Sequence, residues 1–386
     1  MRLLFLTRQF YPWVGGIEKL SHHLAVKMRA RGVDVKIVTG WWFRGTPGKE
    51  VKDGVPVTRM FSFWEMFGIK GVRKLGAYVC MFNLFWHLVR HRREYDVMHC
   101  FAVNDHAFVA ALARRLLGKK LLVAGMSSGP FGDIQKMRRD KFVFGQRFML
   151  PAIARQADCV VALNDEMAQE MQAAGFPANR IRQVPDGVEV DGGPIRADYR
   201  LNHNVTLTFV GRLTPKKGPD LAIRGLARAV AARPEVQWRL LLIGDGTLRG
   251  ELEDLVTKLG LAGRVEFCGL VENLQDYWAR TDIYVHSSRG DGMSLALLAA
   301  MASGLPTVAT RIGGNVAVIS DGENGLLIEP DSDADLSRAI LQLYADQTLR
   351  TRLGTRARRT VVENFSIDSV VERYLALYED LLNEAG

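Results

Sequence analysis

Residues 287–310 read SSRGDGMSLALLAAMASGLPTVAT. This stretch begins with a polar turn, continues through a helix of small and apolar residues, and passes a Gly-Leu-Pro turn into an apolar strand. A helix followed at once by a buried strand is one step of an alternating α/β chain, whose strands lie parallel in a sheet. The stretch therefore predicts a parallel α/β fold and raises the question of what its polar turn binds.

The same alternation of strands and helices runs through the whole chain. The predicted strands of the first half are residues 3–7, 35–39, 97–100, 120–124, 159–162 and 181–184. Those of the second half are residues 206–210, 239–243, 264–267, 283–285 and 306–309. Between the halves, residues 186–204 are polar and rich in turn formers, which predicts a linker. We predict two doubly wound, Rossmann-like domains facing a central cleft where the carboxyl ends of the strands converge.

Composition narrows the class of protein. A chain of 386 residues with 48% hydrophobic content is long enough for two domains with separate cores. Its four cysteines are far apart and form no CxxC motif, which favours a reducing compartment over a disulfide framework or a zinc site. Only five residues separate Arg2 from Arg8, too few for the core of a signal peptide. The near-apolar run 78–89 is too short to span a bilayer, so we expect a soluble or peripherally bound protein.

Positive charge is concentrated in the first part of the chain. Residues 1–150 hold 26 Lys and Arg against 10 Asp and Glu, whereas residues 151–386 hold 25 against 32. Such asymmetry predicts an anionic partner for the first domain, either a membrane surface or nucleic acid. The sequence contains no nucleic-acid recognition module, so we expect no nucleic-acid partner.

Two segments of the first domain, residues 61–93 and 131–150, interleave aromatic and basic side chains. Most of residues 80–88 is predicted to be a core helix. The basic residues on its flanks are harder to explain by packing, and we expect them to face anionic lipid headgroups. These residues are Lys70, Arg73, Lys74, Arg90, Arg92 and Arg93.

A pair of glycines, Gly15 and Gly16, lies between the first strand and a helix. Paired glycines allow close approach of the backbone, and the helix N-terminus offers N–H donors to a phosphate. An ordinary strand-to-helix turn is the alternative. A dinucleotide-binding site is a weaker interpretation, because the third glycine of the GxGxxG motif is missing.

In the second half, Arg212 and Lys217 follow a strand and precede a helix. Two cations five residues apart across a tight turn can point into one cleft and clamp a diphosphate. The alternative is a solvated basic turn. No DxD motif with a plausible second ligand lies at a strand end, so we expect no metal.

The series of motifs resembles family 4 of the retaining glycosyltransferases. The likeness covers nearly the whole chain and includes RQFYPWVGGIEKL (8–20), VALNDEMAQEMQAAGFPANRIRQVPDGVEV (161–190), IGDGTLRGELE (243–253) and NFSIDSVVERYLALYEDLL (364–382). It implies the GT-B fold, with an acceptor-binding domain of residues 1–190 and a nucleotide-sugar-binding domain of residues 191–368. The C-terminal helix, near residues 369–386, is expected to pack back on the first domain.

The resemblance also implies an activity. A retaining enzyme of this family would transfer a sugar from a UDP- or GDP-linked donor, without a further cofactor or a metal, to a glycan or lipid-linked acceptor. The expected context is bacterial cell-surface polysaccharide or lipopolysaccharide synthesis, on the cytoplasmic face of the cell membrane. The family motifs assign catalytic roles to Arg212, Lys217 and Asp291. They assign donor binding to Gly15, Gly16, Gly211, Gly244, Gly269, Leu270, Asn273, Gly292, Met293, Ser294 and Leu295.

Four positions depart from the family pattern. Two glutamates usually stand eight residues apart where this chain has Asp291 and Ala299, and Ala317 and Ser128 replace a frequent glutamate and a frequent histidine. An aspartate can still accept hydrogen bonds from a sugar, but an alanine cannot hold the ribose, which removes about 1.5–3 kcal/mol of binding. A pseudoenzyme acting as a binding subunit is therefore the alternative, and a nucleotide-sugar epimerase is a distant third. The retained Arg212 and Lys217 favour an active transferase.

Overall fold

Two separate β-sheets form the cores of the chain. The structure, a computed structural model, describes residues 1–12, 15–43, 45–62, 73–139 and 145–383. Residues 1–186 and 367–386 form one unit, and residues 187–366 form the other. Lys70, one of the basic residues predicted to face lipid, lies outside the described residues.

The first unit is built on an eight-stranded sheet. Its strands are β1 (Arg2–Thr7), β2 (Asp34–Trp41), β3 (Lys49–Lys52), β4 (Val55–Phe61), β5 (Val97–Phe101), β6 (Lys120–Ala124), β7 (Cys159–Ala162) and β8 (Ile181–Gln183). The strand order is β3-β4-β2-β1-β5-β6-β7-β8, and β3 pairs antiparallel with β4 while the other neighbours pair in parallel. All five residues of β5 are buried, as expected for a strand covered on both faces.

Helices follow the strands of the first unit. They are α1 (Gly16–Ala30), α2 (Arg73–Arg90), α3 (Asp105–Leu117), α4 (Asp133–Arg139), α5 (Leu150–Gln156) and α6 (Asp165–Ala173). In α1 the buried residues Leu20, Leu24 and Met28 recur every four positions, which gives the helix one apolar face for packing.

The second unit has a six-stranded sheet in which all neighbours pair in parallel. Its strands are β9 (Asn204–Val210), β10 (Gln237–Ile243), β11 (Val265–Gly269), β12 (Ile283–His286), β13 (Thr307–Thr310) and β14 (Leu326–Ile328), in the order β11-β10-β9-β12-β13-β14. Its helices are α7 (Pro219–Ala232), α8 (Arg249–Lys258), α9 (Gln275–Arg280), α10 (Leu295–Ala302), α11 (Gly313–Val316), α12 (Asp333–Ala345) and α13 (Gln347–Asn364). The order reverses between β9 and β12, which is where ligands bind in open parallel sheets.

The last helix, α14 (Ile367–Asn383), belongs to the first unit. Asp368, near its start, accepts hydrogen bonds from Lys27 of α1 and from Arg31 directly after α1, at 3.2 and 2.8 Å. Farther along, the Tyr378 hydroxyl lies 2.6 Å from Nδ1 of His99, and both side chains are fully buried. These contacts attach α14 to α1 and to β5 of the first unit.

The structure confirms the parallel α/β fold, and each of the eleven predicted strands coincides with an observed one to within a few residues. It adds β3, β4 and β14, which the sequence analysis missed. Asp53 and Gly54, which join β3 to β4, have φ values of 48° and 78°. An Asp-Gly turn of this kind is a hairpin signal, and the Asp-Gly pair was visible in the sequence. β14 has only three residues, too few to show a period.

The predicted linker of residues 186–204 has few regular elements but is tied to the second unit by hydrogen bonds. The N–H of Val188 donates to the carbonyl of Phe365 at 3.0 Å, and the Tyr199 hydroxyl donates to the carbonyl of Gly304 at 2.9 Å. The Arg350 guanidinium donates to the carbonyl of Tyr199. Because hydrogen bonds hold it at several points, this segment belongs to the second unit from residue 187 onward.

Candidate active site

The loop that follows β9 carries the predicted diphosphate clamp. Gly211 begins it, Arg212 is exposed, and Lys217 ends a short 3₁₀ turn before α7. A Cβ at Gly211 would lie 3.7 Å from Cδ of Lys217, so the lysine side chain passes over this glycine. The Arg212 side chain makes no hydrogen bond or ion pair with any described residue. It is a cation available for an anionic ligand.

The loop after β9 is fixed against the loop after β12. Gly218 has a φ of 62°, and a Cβ there would lie 2.1 Å from the carbonyl oxygen of Ser287, so only glycine fits. The Ser287 hydroxyl donates to the Gly218 carbonyl at 2.7 Å. The Ser288 hydroxyl and the Arg289 N–H both donate to the carbonyl of Lys216, at 3.1 and 2.8 Å. These bonds bring together two loops that the sequence separates by about seventy residues.

Lys217 and Asp291 meet where these loops touch. The Lys217 ammonium donates a hydrogen bond to Oδ2 of Asp291. Burial raises the pKa of Asp291, but the positive charge of Lys217 and its hydrogen bond more than offset this, so the pKa lies below its ordinary value. Asp291 is therefore an ionised acceptor near neutral pH. Lys217 keeps further N–H donors for a ligand, because an ammonium has three.

His286, the last residue of β12, is a member of this cluster that the sequence analysis missed. Its Nε2 lies 3.7 Å from Oδ2 of Asp291 and has no hydrogen-bond partner among the described residues. Burial, followed by the charge of Lys217, lowers the pKa of His286 to about 4. The imidazole is therefore neutral at physiological pH. A histidine at the carboxyl end of a predicted strand, five residues before Asp291, was the signal that could have identified it.

Three predicted glycines bring the loops after β9, β10 and β11 into backbone contact. A Cβ at Gly244, whose φ is 136°, would lie 2.0 Å from the carbonyl oxygen of Gly211. The N–H of Gly244 donates to the carbonyl of Gly269 at 2.8 Å. These glycines therefore permit backbone packing at the carboxyl ends of three neighbouring strands. Their contact with a donor stays a prediction.

The turn after β11 carries the next predicted residues. Leu270 is 82% exposed, and its contact with a donor stays a prediction. The carboxamide oxygen of Asn273 accepts a hydrogen bond from the N–H of Gln275 at 3.0 Å and so fixes the turn before α9.

The residues that begin helix α10 are held by a serine cap and by contact with α11. The Ser294 hydroxyl caps α10 by accepting a hydrogen bond from the N–H of Leu297, a common role for a serine at a helix start. Met293 is buried and Leu295 is half-buried. A Cβ at Gly314 would lie 2.3 Å from the carbonyl oxygen of Gly292, so α11 packs directly on this loop.

Arg289 is a second residue that the sequence analysis did not identify. Its guanidinium binds both carboxylate oxygens of Asp220, at 2.8 and 2.7 Å, and Oδ1 of Asp331 at 2.6 Å. Asp220 lies in the first turn of α7, so this pair fastens the loop of Asp291 to the helix that follows Lys217. Arg289 supports the site and is itself already paired.

Gly15 and Gly16 belong to the first unit. Gly15 is the N-terminal cap of α1 in an extended conformation, and a Cβ there would lie 2.4 Å from Oε2 of Glu18. Glu18 is buried, so a carboxylate already lies beside the helix N-terminus that was predicted to bind phosphate. Ser128, which stands in place of the family histidine, is 2% exposed. A donor contact with the two glycines stays a prediction.

Two further properties concern the part of the chain that the structure describes. There, no three His, Cys, Asp or Glu side chains come together in a way that could hold a metal ion. No helix in those residues is both long and apolar enough to cross a membrane.

Comparison with known proteins assigns the family. A model for glycosyl transferases group 1 matches residues 204–346, and one for a glycosyl transferase 4-like domain matches residues 15–187. The lipopolysaccharide core biosynthesis glycosyltransferase LpsE of Rhizobium meliloti is 34% identical over 227 residues, which are 58% of this chain and 64% of LpsE. The D-inositol 3-phosphate glycosyltransferase of Rhodococcus jostii is 30% identical over 393 residues, which cover 94% of this chain and 84% of that protein.

Comparison with solved structures agrees with the predicted fold. The crystal structure of Anabaena Alr3699/HepE in complex with UDP-glucose has a TM-score of 0.77 at 19% identity, over 98% of this chain and all of that one. This likeness confirms the predicted GT-B fold, two Rossmann-like α/β domains. With both halves matched by family models and a 30% identical relative along almost its full length, the chain belongs to the group 1 glycosyltransferases.

Proposed function

We propose that this protein is a retaining, metal-independent glycosyltransferase. It transfers a sugar from a nucleotide-diphosphate sugar to a glycan or lipid-linked acceptor, in the synthesis of bacterial cell-surface polysaccharide or lipopolysaccharide. The observation that carries the proposal is the meeting of Asp291 with Lys217, in the loop that also carries Arg212, where the sheet of the second unit changes strand order.

Each residue has a role that its charge supports. The exposed guanidinium of Arg212 and the free N–H groups of Lys217 would bind the diphosphate and stabilise the charge it gains as it leaves. Asp291, ionised because of its pairing with Lys217, would accept hydrogen bonds from hydroxyls of the donor sugar. The glycines and the exposed Leu270 would border the nucleotide.

The reaction that we propose needs no nucleophilic side chain. The bond between the anomeric carbon and the diphosphate oxygen breaks, and an acceptor hydroxyl forms the new bond on the same face of the sugar. The hydroxyl proton passes to an oxygen of the departing diphosphate. Arg212 and Lys217 act by electrostatic stabilisation, which is the largest single contribution in many enzymes.

The names of similar proteins support parts of this proposal. LpsE is named for lipopolysaccharide core synthesis, and HepE was crystallised with UDP-glucose, which favours UDP over GDP as the carrier here. A lipid-linked acceptor would place the protein at the cytoplasmic face of the cell membrane. The excess of positive charge in residues 1–150 supports a location beside anionic lipid.

A two-step experiment tests the function. UDP and GDP are first compared by thermal shift, and we expect UDP to raise the melting temperature by binding the folded state. Turnover of UDP-sugars is then followed by NMR with glycan and lipid-linked acceptors, and the product should keep the anomeric configuration of the donor. Inverted product would contradict the retaining mechanism. Nucleotide binding without turnover of any donor would instead favour the pseudoenzyme.

A further inference from the structure

Helix α2 has an exposed face made of aromatic residues. Phe82 is 63% exposed and Trp86 is 54% exposed, and Tyr78 is exposed one turn before them. The spacing of four residues places the three side chains in one row along the helix, about 12 Å long. The expectation that residues 80–88 belong mostly to the core is therefore wrong for this face.

The opposite face of α2 explains how the helix is held. Gly76, Cys80, Leu84 and Leu88 are buried and also recur every four residues. This face packs against α3 and β4. The aromatic row is therefore not needed to attach the helix to its unit, and large side chains exposed in a row commonly mark an interaction surface.

Exposed cations lie at the C-terminal end of the aromatic row and on the neighbouring helix α3. Arg90 continues the row by one turn, and Arg93 follows the helix end; both are exposed. The neighbouring helix α3 exposes Leu112 and Leu116 together with Arg115. Within the described residues, the side chains of these three arginines make no hydrogen bond or ion pair. This leaves their charges available for an external anion.

The acidic residue next to these arginines is already paired. Glu94 accepts a hydrogen bond from Lys36 at 2.9 Å and lies 2.7 Å from Nδ1 of His91. The surface thus combines exposed aromatic rings with unpaired guanidinium groups and no unpaired carboxylate on the adjoining turn.

We propose that the outer face of α2, continued by α3, docks on an anionic lipid bilayer. Phe82 and Trp86 would enter the interfacial region, where aromatic rings are favoured, and the arginines would contact lipid phosphates. Charge complementarity selects this partner over a neutral apolar one. The inference rests on the proposed function, since a lipid-linked acceptor requires the enzyme to reach the membrane.

Insertion of the aromatic rings into the bilayer predicts a different salt dependence of vesicle binding from attraction by charge alone. Binding by charge is screened as salt rises, whereas burial of rings is not. Wild-type protein should therefore sediment with vesicles of equimolar phosphatidylglycerol and phosphatidylcholine, and part of this binding should survive high salt. The double variant Phe82→Gln/Trp86→Gln should bind these vesicles at least about tenfold more weakly than the wild type, at low and at high salt alike. Arg90→Gln/Arg93→Gln should lose binding mainly at low salt.

Two further variants sharpen the test. Ile195→Gln, at a residue as exposed as Trp86 but in the second unit, should bind vesicles like the wild type. Trp86→Phe should keep vesicle binding but lose much of the quenching of tryptophan emission by brominated lipid.

The failure of this inference is distinguishable from failure of the proposed function. UDP affinity of Phe82→Gln/Trp86→Gln should equal that of the wild type, because both residues lie in the first unit. Wild-type and double-variant proteins that partition equally, or wild type that binds no anionic vesicle, would overturn the docking surface alone. A dimeric wild type and a monomeric double variant would also overturn the docking surface, because the face would then be a protein interface.

Discussion

Lys217 and Asp291 form an ion pair in which both side chains are largely buried, although 74 residues separate them in the sequence. The pair unites a residue that the sequence analysis assigned to the diphosphate with one assigned to the sugar. Because the Lys217 ammonium stabilises the ionised form of Asp291, this carboxylate carries its charge before any ligand binds.

Removal of Lys217 should affect both activity and stability. Lys217→Ala should lower kcat/KM about 10²-fold, because the leaving diphosphate loses a cation. It should also lower the free energy of unfolding by about 1–3 kcal/mol, because Asp291 stays buried without its partner. Urea denaturation measures the second effect. In the double variant Lys217→Ala/Asp291→Ala, stability should be partly restored while turnover stays lost. A fully active and stable Lys217→Ala would contradict both roles.

Ala299 offers a gain-of-function test. If the ribose of the donor lies where the family resemblance places it, Ala299→Glu restores a charge-assisted hydrogen bond and should tighten UDP binding about tenfold to a hundredfold. Isothermal titration measures the change. Ala299→Gln, of the same size without the charge, should gain less. Unchanged or weaker binding in Ala299→Glu would mean that the pocket is built around alanine.

The contact between Gly218 and Ser287 can be tested against a matched glycine. Gly218 and Gly263 have φ values of 62° and 77°, but a Cβ at Gly263 meets nothing within 4 Å. Gly263→Ala should lower the free energy of unfolding by about 1–2 kcal/mol through backbone strain alone. Gly218→Ala should cost clearly more and should also weaken UDP binding, because it separates the loops of Lys217 and Asp291. Equal losses of stability with normal UDP affinity in both variants would show that this contact does not position the site.

His286 predicts a pH dependence of stability. Its pKa is lowered from 6.5 to about 4 in the folded chain, chiefly by burial, so the unfolded chain takes up the proton first as pH falls. Stability due to this residue is therefore present above pH 6.5 and is lost as pH falls toward 4. The loss between pH 7 and pH 5 should be smaller in His286→Gln than in the wild type, by about 2 kcal/mol. His87 and His99 have lowered pKa values too, but the variant leaves them unchanged.

Identical pH profiles for the two proteins would mean that His286 is not buried in its neutral form. Two groups lie next to the imidazole of His286. Oδ2 of Asp291 is 3.7 Å from Nε2, and the Tyr284 hydroxyl is 3.4 Å from Nδ1. A profile that shifts on Tyr284→Phe as well would assign part of the effect to that hydroxyl.

Much of the fold could be predicted from the sequence, because parallel strands buried on both faces are continuous apolar runs. Strands such as β6 and β7 were predicted with their observed bounds. The outer face of α2 could not be predicted in this way. Its aromatic row and its buried row are both apolar, so the hydrophobic period that separates the core from the surface is hidden.

The site was predictable only where a motif is local. Arg212 and Lys217 are five residues apart, a spacing that permits an anion clamp, and the family resemblance favoured the clamp over a solvated basic turn. Arg289 gave no such signal, because its partners Asp220 and Asp331 lie 69 and 42 residues away. Ion pairs of this kind depend on which loops the sheet brings together, and strand order is not written in the local sequence.

We propose that the second unit binds a nucleoside diphosphate through Arg212. Isothermal titration of UDP into wild type and Arg212→Ala tests it most directly, because this exposed side chain has no hydrogen-bond partner among the described residues and its loss should leave the melting temperature unchanged. We predict measurable UDP binding to the wild type and binding at least about tenfold weaker in the variant. Equal affinities in the two folded proteins would contradict the assignment of the diphosphate site.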